Sequence, residues 1–149
     1  MAFRFPLQAV LRLRRSLENQ EEKKLMAIVS AIAKVRKEIE MLDEAGIEQR
    51  RRGNDALVSG VSVGAMLQFS AFTEVRRLAF KIECAKRLAE LELKRKAQVS
   101  AYGKARQKRE ILESLRDREQ ARYDMEWAKN EQERLDEVFL IRKMREETE

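Results

Sequence analysis

The sequence predicts an all-α protein: a long antiparallel two-stranded coiled-coil hairpin that forms a single domain over residues 1–149. Three observations lead to this prediction. Charged residues make up 39% of the chain and hydrophobic residues 44%, a mixture typical of long amphipathic helices. Apolar residues recur at helical spacing in two segments, and four of the five glycines lie between or near the facing ends of those segments. We therefore expect two helices joined by one connection.

The first helix is predicted over about residues 4–52, and its clearest signal is a narrow apolar stripe. The members of this stripe are spaced alternately three and four residues apart: Leu25, Ile28, Ile32, Val35, Ile39 and Leu42. This is the a/d repeat of a left-handed coiled coil, and its narrowness favours one partner helix over a thick core. Towards the N-terminus the apolar spacing slips, so the interface is predicted to be weaker there.

A glycine-rich connection is predicted over about residues 53–64, with Gly53-Asn54 as the C-terminal cap of the first helix. Helical spacing returns over about residues 65–145. At 1.5 Å per residue the two segments would span roughly 75 Å and roughly 120 Å, so they cannot match end to end. Either the second helix extends beyond the first, or it breaks near Gly103, or residues 65–80 form a separate short helix. The sequence leaves these alternatives open.

The chain lacks most of the residues that metal sites and catalytic triads require. Histidine is absent, and Cys84 is the only cysteine, so neither a metal site nor a catalytic triad is expected. No glycine-rich phosphate loop occurs. Carboxylates such as Glu38 and Asp43 are interpreted as solvated flanks of the coiled coil. We expect no enzyme activity, no metal, no cofactor and no small-molecule ligand.

Charge and hydropathy limit the class of partner. The net charge of +6 is modest and the signs alternate along the chain, so nucleic acid is not expected. No stretch approaches the roughly 20 apolar residues that a membrane span needs, and we expect a cytoplasmic protein. The N-terminal segment FRFPLQAVLRLRR is open to three interpretations: a helix start, a membrane-surface helix or a protein-docking tip. The segment MLQFSAF after the glycines either caps the hairpin or anchors a partner.

Two motifs at the ends of the chain resemble a known family. The opening motif consists of Phe3, Phe5, Pro6, Leu7, Gln8, Val10, Leu11, Leu13, Arg14 and Glu18. The closing motif consists of Glu131, Leu135, Asp136, Glu137 and Arg142. Together with the glycine-interrupted middle, they resemble the FliJ family, the general chaperone-like component of the flagellar protein export apparatus. The resemblance covers nearly the whole chain.

The resemblance implies a fold similar to the central coiled-coil stalk of rotary ATPases. It also implies a stalk that binds and stimulates the hexameric flagellar export ATPase, escorts flagellar export chaperones and contacts the cytoplasmic region of the membrane export gate. Such a protein supports flagellum assembly and motility, and it is cytoplasmic and peripherally associated with the inner membrane. The ATPase-binding residues would be Phe5, Leu7, Leu11, Leu135 and Val138.

The gate-binding residues implied by the resemblance are Phe72 and Ala79, and Arg76 between them differs from the aliphatic residue expected there. Three alternatives remain beside this interpretation. One is a structural scaffold that oligomerises through the stripe over residues 25–42. The second is a stalk protein of a virulence-type secretion system. The third is a basic helical protein that acts on membranes or nucleic acid.

Overall fold

The protein consists of two long α-helices that pack against each other as a hairpin, which confirms the predicted all-α fold class. The structure, a computed structural model, describes residues 2–60 and 63–148. Helix α1 is Gln8–Val58 and helix α2 is Val63–Glu146, and no strand occurs in these two ranges. No helix among the described residues is long and apolar enough to cross a membrane.

The N-terminal boundary of α1 is set by Pro6. The helix begins at Gln8, later than the predicted start near residue 4. A residue that precedes proline is disfavoured in the helical conformation, so Phe5 stays outside the helix. The backbone N–H of Gln8 donates to the carbonyl of Phe5 at 3.2 Å, which closes a turn immediately before α1.

The C-terminal boundary of α1 lies beyond the predicted one. The helix continues to Val58, so Gly53-Asn54 is not a cap and the connection does not begin at residue 53. One glycine inside a helix costs only about 1 kcal/mol, which the surrounding helix formers outweigh. The helix ends instead before Gly60, whose φ of 72° is a left-handed conformation that glycine adopts without steric cost. Of the predicted connection, residues 61 and 62 lie outside the described residues.

Opposite effects are expected from alanine at Gly53 and at Gly60. A Cβ at position 53 meets no heavy atom within 4 Å, so Gly53→Ala should raise the free energy of unfolding by roughly 0.5–1 kcal/mol through helix propensity. Gly60→Ala should lower it by about 1–2 kcal/mol, because φ is positive there. Urea unfolding followed by circular dichroism measures both changes. Destabilisation by Gly53→Ala would contradict the observed end of α1.

Helix α2 is continuous from Val63 to Glu146. It has no break at Gly103, and residues 65–80 do not form a separate helix, so two of the three alternatives for the second segment are wrong. Gly103 is tolerated for the same reason as Gly53. One glycine costs about 1 kcal/mol relative to alanine, and the many strong helix formers around it outweigh that cost.

The chain divides into two compact units. The loop unit is Gln20–Tyr102 and contains the end of α1 and the first half of α2. The terminal unit contains the residues up to Asn19 and those from Gly103 onwards.

In the loop unit, the predicted apolar stripe of α1 faces α2. Ile32 and Val35 are buried, and Cys84 is buried on the α2 side. Much of the α2 side is polar: the Arg77 guanidinium donates to the carbonyl of Leu42 at 3.2 Å. A long polar side chain of α2 can thus lie in the helix interface because its polar atoms are hydrogen-bonded to the backbone of α1. The α2 side of the interface therefore does not need a continuous apolar stripe.

Gly46 lies where α1 passes closest to the Arg77 side chain. An added Cβ at position 46 would lie 2.6 Å from the Arg77 Cζ atom, so the missing side chain makes room for the guanidinium. Arg77 also pairs with Glu74 at 2.6 Å, and this pairing raises the pKa of Arg77 and lowers the pKa of Glu74. The arginine therefore stays charged while it packs against α1.

Candidate partner-binding surfaces

The candidate functional sites in the described part of the chain are exposed apolar surfaces. Its residues contain no group of three or more His, Cys, Asp or Glu side chains that could hold a metal ion. The thiol of Cys84 is buried, and burial together with the nearby Glu38 carboxylate raises its pKa. Its sulfur lies 3.7 Å from a carboxylate oxygen of Glu38. Because the thiolate is the reactive form, Cys84 is a packing residue of the helix interface.

The C-terminal patch is an exposed apolar segment at the end of α2. We define it as Leu135, Val138, Phe139, Leu140, Ile141 and Met144, whose side chains are 47–68% exposed. Residues 138–141 are four consecutive apolar positions on one helix, so their side chains point to every side of it. A helix that is apolar all round is normally buried, and consecutive exposed apolar residues indicate a binding segment.

The N-terminal residues of the predicted ATPase-binding set have a different environment. Phe5 and Leu11 are buried in the terminal unit, with Leu11 at 0% exposure, whereas Leu7 is 39% exposed. The ring of Phe3 lies 5.6 Å from the ring of Tyr123 on α2. Phe5 and Leu11 therefore contribute to the packing of the terminal unit.

An ion-pair network holds the terminal unit together beside these apolar contacts. Arg15 binds Glu113 at 2.8 Å, and Arg109 pairs with both Glu113 and the buried Glu18. The hydrogen bond from Arg15 lowers the pKa of Glu113, and Glu18 raises the pKa of Arg109. Ion pairs between α1 and α2 thus lie beside the buried apolar residues of the terminal unit.

The structure does not bring the five predicted ATPase-binding residues together. Phe3 contacts Tyr123, whereas Leu135 lies 12 residues farther along α2, about 18 Å along the helix axis. Leu135 and Val138 belong to the C-terminal patch, away from Phe5 and Leu11. Sequence reasoning missed the other members of the patch, although the run of four apolar residues over 138–141 was the signal that could have found them.

A second exposed apolar surface, the outer stripe, lies on α2 in the loop unit. It consists of Phe72, Val75, Ala79 and Ile82, spaced three, four and three residues apart. All four are exposed, and Phe72 is 60% exposed. At 100° per residue these positions lie on the side of α2 opposite to Arg77 and Cys84, which face α1.

The two predicted gate-binding residues, Phe72 and Ala79, share the outer stripe. Arg76 lies beside the stripe, and its guanidinium carbon is 5.9 Å from the centroid of the Phe72 ring, within cation–π distance. The departure of Arg76 from an aliphatic residue therefore leaves the apolar stripe uninterrupted. The remaining members, Val75 and Ile82, were missed, although their coiled-coil spacing from Phe72 and Ala79 is visible in the sequence.

An open groove lies between the end of α1 and the start of α2. Its apolar lining comes from Leu57, Met66, Leu67 and Phe69, and Gly53 leaves space in it. The segment MLQFSAF is therefore divided between two surfaces: its first residues line the groove, and Phe72 belongs to the outer stripe.

Comparison with known proteins identifies one family. A family model described as "Flagellar FliJ protein" matches residues 3–148. No curated protein and no solved structure matches the chain.

Proposed function

The chain belongs to the flagellar FliJ protein family, and on that premise we propose that it is a stalk that binds the hexameric flagellar export ATPase through its C-terminal patch and stimulates hydrolysis. Membership makes the chain a component of flagellar protein export. The ATPase, the export gate and the export chaperones are the partners proposed for it.

The observation that carries the proposal is the exposure of the C-terminal patch on all sides of α2. A groove or a single partner helix would cover one face of α2 and leave the others in water. A pore that surrounds the helix would cover all of them, and the central pore of a hexameric ring has this form. Burial of apolar surface would then supply the binding free energy.

In this proposal some of the predicted ATPase-binding residues contact the ring and others stabilise the terminal unit. Leu135 and Val138 contact the ring directly, and Leu7 can add to the contact because it is partly exposed. Phe5 and Leu11 act indirectly, by holding the N-terminal segment against α2 in the terminal unit.

The purified chain and the export ATPase of the same organism provide the test. We expect the chain to bind the assembled hexamer at less than one copy per ATPase subunit and to raise the rate of ATP hydrolysis. A helical, folded chain that neither binds the hexamer nor changes its hydrolysis rate would reject the proposal.

We further propose that the outer stripe docks on the cytoplasmic region of the export gate, which would place the protein peripherally at the inner membrane. The exposure of Phe72 and Ala79 on one face supports this. Phe72→Ala is expected to weaken binding to the purified gate region by about tenfold or more, because aromatic anchors carry a large share of interface energy. Binding can be measured by biolayer interferometry.

The matched control for the gate experiment is Phe80→Ala. Phe80 is an exposed aromatic residue of α2 that does not belong to the outer stripe. Equal losses for both variants would contradict a site centred on Phe72.

Escort of flagellar export chaperones completes the proposal and is supported by family membership alone. The scaffold alternative is disfavoured, because the stripe through which it would oligomerise is packed against α2 within the chain. The flagellar description of the matching family also favours the flagellar over the virulence-type system.

A further inference from the structure

We infer that the outer stripe also pairs with the outer stripe of a second copy of this chain, in an antiparallel arrangement with two-fold symmetry. The inference goes beyond the proposed function and does not depend on it. It follows from the spacing of the apolar residues and from the charges that flank them.

The outer stripe has the form of half a short coiled coil. Phe72, Val75, Ala79 and Ile82 follow the alternating three- and four-residue spacing of a and d positions, and all four are exposed. The next positions of the same repeat are the exposed polar residues Gln68 and Lys86, which limit the stripe at both ends. A partner helix of matching length would cover the stripe.

The limits of the stripe select one antiparallel register. When Phe72 faces Ile82 of the second copy, Val75 faces Ala79, and two-fold symmetry repeats both pairs, so every apolar member has an apolar partner. A shift by one heptad in either direction places Gln68 or Lys86 opposite an apolar residue. Burial of a polar group without a partner is unfavourable, so the first register is preferred.

The charges beside the stripe are complementary in the same register. Arg76 and Glu83 both occupy e positions, which face each other across an antiparallel coiled coil. Arg76 of each copy therefore faces Glu83 of the other, which gives two ion pairs. In a parallel pair, e positions face g positions instead, and Arg76 and Glu83 would meet Ala71 and Leu78.

Arg76 and Glu83 are available for this pairing. Both side chains are exposed, and neither forms an ion pair with another of the described residues. Arg77 and Lys81, the basic residues nearest to them in sequence on the α1 side, already pair with Glu74 and Asp43. Apart from the contact of Arg76 with the Phe72 ring, these two charges therefore have no ion-pair partner among the described residues and can select one, as flanking charges do in coiled coils.

The proposed contact between two outer stripes is small, so we expect its affinity to be low. The stripe from Phe72 to Ile82 is about 15 Å long. A pair of such stripes buries less than the roughly 1,200 Å² typical of stable complexes, so association should be weak and depend on concentration. The export-gate region proposed to bind Phe72 and Ala79 would compete with the second copy for this face.

Charge reversal tests the pairing without the ATPase or the gate, so its outcome is independent of the proposed function. Sedimentation equilibrium of the full chain at low salt should show a monomer–dimer equilibrium as the concentration is raised into the hundreds of micromolar. Arg76→Glu and Glu83→Arg should each weaken dimerisation by about tenfold, because both ion pairs become repulsive. Lys94→Glu, an exposed charge reversal on α2 outside the stripe, should leave it unchanged.

The deciding measurement is an equimolar mixture of the Arg76→Glu and Glu83→Arg chains. Each homodimer repels at both flanking positions, whereas the mixed dimer has two attractive pairs, so the mixture should regain the affinity of the original chain. Circular dichroism confirms that the variants remain helical. A chain that stays monomeric at the highest concentration, or a mixture that shows no recovery, would overturn the inference.

Discussion

Aspartate at Val138 or at Leu140 is expected to weaken binding to the export ATPase ring by about 30-fold or more, with the same loss of ATPase stimulation. The two side chains point in nearly opposite directions from α2, because two residues correspond to about 200° of helix rotation. Both are exposed, so neither substitution disturbs packing within the chain. A charge placed in a desolvated contact with a ring costs the free energy of a binding hot spot.

The comparison of the two variants decides how the patch is bound. A pore that surrounds α2 makes both positions sensitive, whereas a groove or a single partner helix leaves one of them insensitive. Met125→Asp is the matched control, because Met125 is a highly exposed residue of the same helix outside the C-terminal patch. If only one of the two variants loses affinity, the enclosing-pore proposal is wrong even if binding itself is real.

A large loss of stability is expected from Ile32→Ala. Ile32 is buried at the centre of the apolar stripe, and its truncation should lower the free energy of unfolding by about 2–4 kcal/mol through lost apolar burial and the cavity left behind. Native domains have only about 5–15 kcal/mol of stability, so this is a large fraction of the total. Urea unfolding followed by circular dichroism measures it.

Met26→Ala is the control for Ile32→Ala. Met26 lies on the same helix and is mostly exposed, so its truncation should change the free energy of unfolding by less than about 0.5 kcal/mol. Similar losses at the two positions would mean that the stripe is not the main source of stability in the loop unit.

Several features of the fold could be predicted from the sequence because they depend on local spacing. The apolar repeat over residues 25–42 predicted one partner helix, and the gathered glycines predicted where the chain reverses. The helix ends were less predictable. Gly53 and Gly60 are the same residue type, yet one lies inside α1 and the other has the positive φ beyond its end. Residue type alone does not distinguish the two positions.

The candidate surfaces were predictable in part. Phe72 and Ala79 were placed together through the family resemblance, and the structure adds Val75 and Ile82 to the same face. The sequence did not show that Phe5 and Leu11 are buried whereas Leu135 and Val138 are exposed, because all four are apolar residues near a chain end. Their different environments depend on which part of α2 the N-terminal segment contacts.

The sequence by itself determined the helical fold class, the covered face of α1 and the absence of histidine chemistry, because composition and periodicity are properties of the chain alone. The tertiary structure decided which faces of α2 remain exposed. Helix α2 carries apolar residues on several sides, and helical spacing is the same whether a stripe faces a partner or water. The hydrogen bond from the Arg77 guanidinium to the backbone of α1 holds one side of α2 against α1, and the outer stripe on the opposite side is left exposed.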